Sequence, residues 1–205
     1  MNKYESLQQA AQAYFAQNPE AKQEKVILLW REEGGSSLSY YGGQASQLRD
    51  WPERQGQPMQ HVLRLDLRQL PQPPADFLSL FVANPADNEA FLPFNDSSQL
   101  HFHTGQAAMP NTPPIAPLAS QMIQQKALML PSEIFGWEAP NEALKAIRQQ
   151  LFNCSYLGGQ PLWLQSDEHH GAFIGQFDER LAPDLNLGDS GLMYLFEDTA
   201  FWQCY

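Results

Sequence analysis

Cysteine is nearly absent. Cys154 and Cys204 are the only two in 205 residues, too few for a disulfide framework. Neither has a Lys, Arg or His beside it in sequence to lower its pKa, so both are expected to be reduced and mostly buried, not reactive. Long hydrophobic runs are missing as well. Nothing approaches the roughly 18 consecutive apolar residues that span a bilayer, and Met1–Tyr14 carries acidic and amide residues where a signal peptide needs a basic start and an apolar run. The expectation is a cytoplasmic protein with no membrane contact. Positive charge is the third scarcity: 12 Lys and Arg stand against 23 Asp and Glu, a formal net charge of -11. Such a chain repels phosphate backbones, which excludes nucleic acid as a partner. No phosphate loop, dinucleotide fingerprint or zinc-peptidase motif is present, and no cofactor is expected.

What the chain does have is apolar and aromatic bulk, 43% and 12% of residues with five Trp, enough for a packed interior. Its charge is uneven. From Gln149 to Tyr205 eight acidic residues face a single basic one, Arg180, a distribution suited to a basic protein partner.

Hydrophobic periodicity outlines the elements. Tyr4, Leu7, Ala11, Tyr14 and Phe15 predict an opening helix stopped at Asn18-Pro19. Lys25–Trp30 reads as a buried strand, and Gly34-Gly35-Ser36-Ser37 as a connection into Leu38–Tyr41. Leu63, Leu65 and Leu67 alternate with Arg64, Asp66 and Arg68, the period of a half-buried strand. Phe77–Val82 is a continuous apolar strand. Met109–Leu118, with four prolines, reads as a connector. Two helices are expected after it: one over Leu118–Leu130 between Pro117 and Pro131, and one capped by Asn141 with Leu144, Ile147 and Leu151 on one face.

One sequence unit occurs twice. Ser39-Tyr40-Tyr41-Gly42-Gly43-Gln44 returns as Ser155-Tyr156-Leu157-Gly158-Gly159-Gln160. Each copy continues with a tryptophan (Trp51, Trp163), a strand carrying an acid (Asp66, Asp178) and a second apolar strand (77–82, 192–197). The organisation expected is one domain with internal duplication: unit one at about 39–84, connector and helices at about 107–153, and unit two at about 155–205. The fold class expected is α+β, a mixed or antiparallel sheet built from two duplicated β-rich units with a few packing helices.

The run from Leu157 to Gln165, the strand Ile174–Asp178, the turn Gly188-Asp189-Ser190-Gly191 and the ending Trp202-Gln203-Cys204 resemble, in order, the motifs of the YwqG-like bacterial proteins, a family of unknown function. The likeness covers residues 157–205. It is weaker over 41–82, where Ala45 stands in place of the expected proline. The resemblance implies a duplicated α+β fold and no particular reaction.

Chemistry-bearing patterns have plainer explanations. Gly188-Asp189-Ser190-Gly191 lacks the continuation and partners of a serine-protease nucleophile and reads as a turn. His101-Phe102-His103 puts two imidazoles on one strand face, and Asp167-Glu168-His169-His170 offers further nitrogen and oxygen ligands, yet neither has the spacing of a metal cage, and no metal site is expected. Asp66 and Asp178 occupy matching places, which favours repeated structural acceptors over an acid–base pair. The functional expectation is a non-catalytic protein-binding or regulatory module, of the kind that includes toxin-neutralising immunity proteins. The alternative is a small-molecule binder or enzyme with a pocket at the junction of the repeats. The candidate ligand- or partner-binding residues are Trp163, Gln165, Gln176, Asp178 and Asp189.

Overall fold

A computed structural model describes residues 3–33, 37–45, 48, 50–83, 93, 96–105, 114–138, 140–166, 169 and 171–205. Parts of three expectations lie outside these residues: the glycines of the 34–37 connection, the first half of the 109–118 connector, and Asp167, Glu168 and His170.

The described residues form α1 (Lys3–Gln17), β1 (Gln23–Glu32), β2 (Ser39–Tyr41), β3 (Glu53–Arg54), β4 (Gln57–Pro58), β5 (Gln60–Asp66), β6 (Phe77–Val82), β7 (Ser98–His103), β8 (Gln121–Pro131), α2 (Glu142–Phe152), β9 (Ser155–Gly158), β10 (Phe173–Asp178), β11 (Leu192–Phe196) and β12 (Ala200–Gln203), with a single 3-10 turn at Ser132–Phe135. Ten strands make one antiparallel sheet in the order β12-β11-β10-β9-β1-β8-β2-β5-β6-β7. The sheet curls until its two ends meet. β12 lies against β7, and the Trp202 amide donates to the Pro93 carbonyl at 3.4 Å. The result is a nearly closed barrel, which leaves little free edge for stray pairing.

The interior is aliphatic. Ile27, Leu65, Leu80, Ile123, Leu157, Phe177, Met193 and Leu195 belong to one buried cluster drawn from both ends of the sheet. Outside, α1 and α2 cover the central strands: Leu7, Ala11, Leu144, Ile147 and Leu151 pack with Val26, Leu28 and Leu130. The α2 start is as expected, since the Asn141 side chain accepts the Leu144 amide at 2.9 Å, satisfying one first-turn donor.

Two expectations need correction. The helix over Leu118–Leu130 does not form; that segment is β8, paired residue for residue with β1 from Gln23↔Pro131 to Glu32↔Met122. Gln, Lys, Ala, Leu and Met favour helix in isolation, but a long central strand offers ladder bonds and buries Ile123, Leu128 and Leu130, and tertiary pairing overrides propensity. The second correction follows from the first. The fold is not α+β with two duplicated β-rich units but mostly β, because β1 and β8 weld what would be two sheets into one. The two copies of the motif stand in its two wings, β2-β5-β6-β7 and β9-β10-β11-β12.

Local geometry recurs with the motif. Tyr40 donates its hydroxyl to the Gln44 carbonyl at 2.9 Å, and Tyr156 to Gln160 at 2.8 Å. The amides of Asp66 and Asp178 donate to the hydroxyls of Ser39 and Ser155. Each Asp carboxylate then accepts the amide of the arginine two residues on, Arg68 or Arg180, and grips its guanidinium. Gly42 and Gly158 have φ of 65° and 74°. A Cβ would strike the Ala119 carbonyl at the first, and the Lys25 carbonyl at 2.8 Å at the second, so only glycine fits.

Candidate functional site

The second wing carries a cavity of about 630 Å³ on the outer side of the sheet. Its back wall is a stack of rings supplied by β11, β12 and the segment after β9. Trp163 lies nearly parallel to Phe196 (6.0 Å, 16°) and to Phe201 (6.2 Å, 12°). Phe173 of β10 meets Phe196 edge to face at 5.5 Å. Alternation along these strands sends one side chain in two outward, and here the outward ones are aromatic.

The opposite wall comes from the 3-10 turn and α2. Phe135 sits against Gly159, where a Cβ would lie 2.6 Å from its ring. Arg148 donates to the carbonyls of Gly136 and Trp137, which ties the loop to the helix and holds Trp137 at the mouth with 73% of its surface in solvent. His169 packs its ring on Phe196 at 4.5 Å and bonds Asp198 Oδ1 at 2.9 Å. Gln160 and Gln165 add amides to the lining.

Below the wall is a buried polar layer, hydrogen-bonded except at Gln176 Nε2, which has no partner. Gln176 Oε1 accepts the Leu162 amide (2.8 Å) and shares the Tyr156 hydroxyl proton (3.0 Å) with the Gln160 carbonyl. The Tyr194 hydroxyl donates to the Leu162 carbonyl and accepts the Leu164 amide. Burial pushes both tyrosines well above their ordinary pKa, so they stay protonated and act as fixed hydrogen-bonding struts.

The five candidates from the sequence part company here. Trp163 and Gln165 line the cavity. Gln176 is buried beneath it and serves as a strut. Asp178, bound to Arg180, lies at a separate hollow of about 370 Å³ with Tyr4, Trp30 and Cys154. Asp189 occupies the exposed turn after Gly188, where its carbonyl accepts the Tyr205 amide at 3.1 Å. The larger cavity sits within one wing, beside α2, whereas the hollow at Asp178 is walled by Leu28–Arg31 of β1, where the two wings join. Phe135, Trp137 and Arg148 were not foreseen, because the 3-10 turn and helix that carry them reach the motif only through tertiary packing. The one signal in sequence was Trp137 itself, a large aromatic in a proline-flanked loop.

Among the cavity's described lining residues no nucleophile stands beside a base, and its cation is engaged with backbone carbonyls. A Ser–His approach does occur in the first wing, Ser79 Oγ to His103 Nε2 at 3.4 Å, but Ser79 is fully buried and presents no face to a substrate. His101 and His103 stack on one face of β7 at 5.9 Å. Among the described residues, no group of three or more His, Cys, Asp and Glu gathers in a way that could hold a metal ion. No helix among them is long and apolar enough to cross a membrane. Compared with protein-family models and with curated protein sequences, the chain matches none.

Proposed function

We propose that this chain is a non-catalytic cytoplasmic binding protein, related to the YwqG-like proteins, that regulates a partner by seating one of its basic side chains in the second-wing cavity. The observation that carries this reading is the cavity wall: Trp163, Phe173 and Phe196, from the acidic last quarter of the chain, offer aromatic faces beside the projecting Trp137. Aromatic faces attract a lysine or arginine head by their quadrupole, most strongly once water is excluded. The Asp198 carboxylate near the mouth, 64% exposed, adds the long-range attraction that steers a basic partner inward. Large, rigid rings around a desolvated centre are the usual composition of an interface hot spot.

The test is a capture experiment with tagged protein and its Trp137→Ala and Asp198→Asn variants, read by mass spectrometry across a salt series. A basic protein held stoichiometrically by the parent, and lost with either substitution and with rising salt, is the expected result. An unchanged set of captured proteins across all three would sink the proposal.

A second reading, small-molecule binding, draws on the cavity's volume, which falls in the ordinary range of about 300–1,000 Å³ for ligand sites. Saturable thermal stabilisation by a low-molecular-weight fraction, abolished by Trp163→Ala, would favour it.

A further inference from the structure

The first wing buries a cation whose guanidinium is left without a hydrogen-bond partner along one edge. Arg64 lies on β5, across from Tyr40 of β2 and Ser79 of β6, and is only 7% exposed. Its guanidinium carbon is 3.8 Å from the centre of the Phe77 ring and 5.9 Å from that of Tyr40. Nε and Nη2 are both buried and have no hydrogen-bond partner.

These two nitrogens share one edge of the guanidinium, the edge that grips two coplanar oxygens side by side. Elsewhere in the same fold it is used in that way. Arg68 presents Nε and Nη2 to the two oxygens of Asp66 at 2.9 and 2.6 Å, while Arg180 turns the same pair onto the single oxygen Oδ2 of Asp178. Asp66, the acid nearest to Arg64 along β5, is therefore already engaged. A second orphan lies close by. His61 is 1% exposed, and its ring packs 6.0 Å from Tyr40, the same tyrosine. Its Nδ1 is 3.3 Å from the Gly43 carbonyl, a contact that requires Nδ1 to donate. Nε2 is left as a bare acceptor with no partner.

The scaffold does not require this charge. In the second wing Gln176 faces Tyr156 as Arg64 faces Tyr40, and the position is neutral there. A buried guanidinium with its best edge unused is among the costliest arrangements a fold can hold, and proteins keep such charges paired.

We infer that Arg64 and His61 form an oxyanion-binding site, taking the carboxylate or phosphate group of a small ligand. Two coplanar oxygens accept from Nε–H and Nη2–H, and a hydroxyl on the ligand donates to His61 Nε2. The Phe77 and Tyr40 rings wall the site and keep water from competing. This inference is independent of the aromatic cavity in the other wing.

The experiment is thermal unfolding of the full chain in chloride buffer at constant ionic strength, titrated in turn with inorganic phosphate, sulfate, acetate and tartrate. The expected result is a saturable rise in Tm of about 5 °C at ~100 times the dissociation constant for at least one of them. Arg64→Met should show no such rise and, in chloride alone, should melt above the parent, because it removes the unpaired charge. Arg68→Gln should keep the response. A response to phosphate and sulfate identifies a phosphate-type ligand; a response to acetate or tartrate identifies a carboxylate. The inference is overturned if no oxyanion gives a saturable rise in the parent, or if Arg64→Met responds equally. Should Arg64→Met fail to fold, the arginine Nε–H resonances of the parent decide the matter: one must shift in step with the titration, and an unmoved set refutes the site.

Discussion

Opposite Tyr156, the second wing places Gln176; opposite Tyr40, the first wing places Arg64. The backbones around them follow the same plan, with the same serine bond, the same pair of left-handed glycines and the same Asp–Arg turn. The outward faces do not. In the second wing Trp163, Phe173, Tyr194, Phe196 and Phe201 pack on one another, and of the Gln176 amide beneath them only the neutral Nε2 lacks a partner. In the first wing His61, Arg64, Ser79 and His103 are buried together with Phe77 and Phe81, and several of their polar atoms lack one. The scaffold therefore dictates where side chains point, while the side chains alone decide whether a face is filled or left wanting. Function is read from that difference and not from the shared frame.

The widest test of the comparison asks whether the wings are separable at all. Ile27→Asp, a charge set into the common interior at the β1–β8 weld, should cost about 5 kcal/mol and abolish both wings together. Urea unfolding followed by tryptophan fluorescence and by far-UV circular dichroism should give coincident curves for the parent. Two separated transitions would show that the wings stand alone. Next in size is the glycine frame. Gly42→Ala and Gly158→Ala should each cost about 3 kcal/mol, since each adds a clash with a carbonyl to an unfavourable φ. Gly56→Ala, at φ 74° but with nothing within 4 Å, should cost only about 1 kcal/mol. Equal costs at all three would mean that the close approach is immaterial.

Acid should separate the wings chemically. Burial lowers His61 from 6.5 to about 4, and burial with the nearby Arg64 charge does the same to His103. A histidine with a depressed pKa is neutral in the fold but takes up a proton in the unfolded chain below pH 6.5. Its contribution is therefore intact above that value and is lost as pH falls from about 6.5 towards 4. His61 alone accounts for about 2 kcal/mol at pH 5. Urea midpoints at pH 7.5 and pH 5 should differ by correspondingly less in His61→Gln than in the parent; an equal difference would remove His61 from the account. Smallest of all, Trp137→Ala should change stability by no more than about 0.5 kcal/mol, because its side chain projects into solvent. A larger loss would mark that ring as part of the packing and not of a contact surface.

How much of this could be read from the chain depends on whether the governing force is local. The opening helix, β1, β6 and α2 were legible from periodicity and a cap, and Gly42-Gly43 and Gly158-Gly159 announced turns that only glycine can make. β8 was not. Its residues favour helix, and its strand state exists only because β1 supplies a partner far away in sequence. Missing it hid the weld and suggested two units where there is one sheet. At the site, Trp163 stood out because the motif repeats and Gln165 because it closes the run that resembles the YwqG-like signature, whereas Trp137 and Arg148 arrive from α2 and its approach. Arg64 was visible but misleading. Alternation with Leu63 and Leu65 marks the outward face of a half-buried strand, and only the fold shows that this outward face is covered too.

The β1–β8 ladder also sets a schedule for the chain. Gln23 pairs with Pro131, and Leu28 of the same strand with Tyr156, so an apolar strand made early must wait until most of the polypeptide exists before either edge is paired. Loop closure of that reach slows folding, and until it happens Val26–Leu29 is an open template for other chains. The acidic excess that keeps copies of this chain apart is of greatest use during that wait, before there is a barrel for it to decorate.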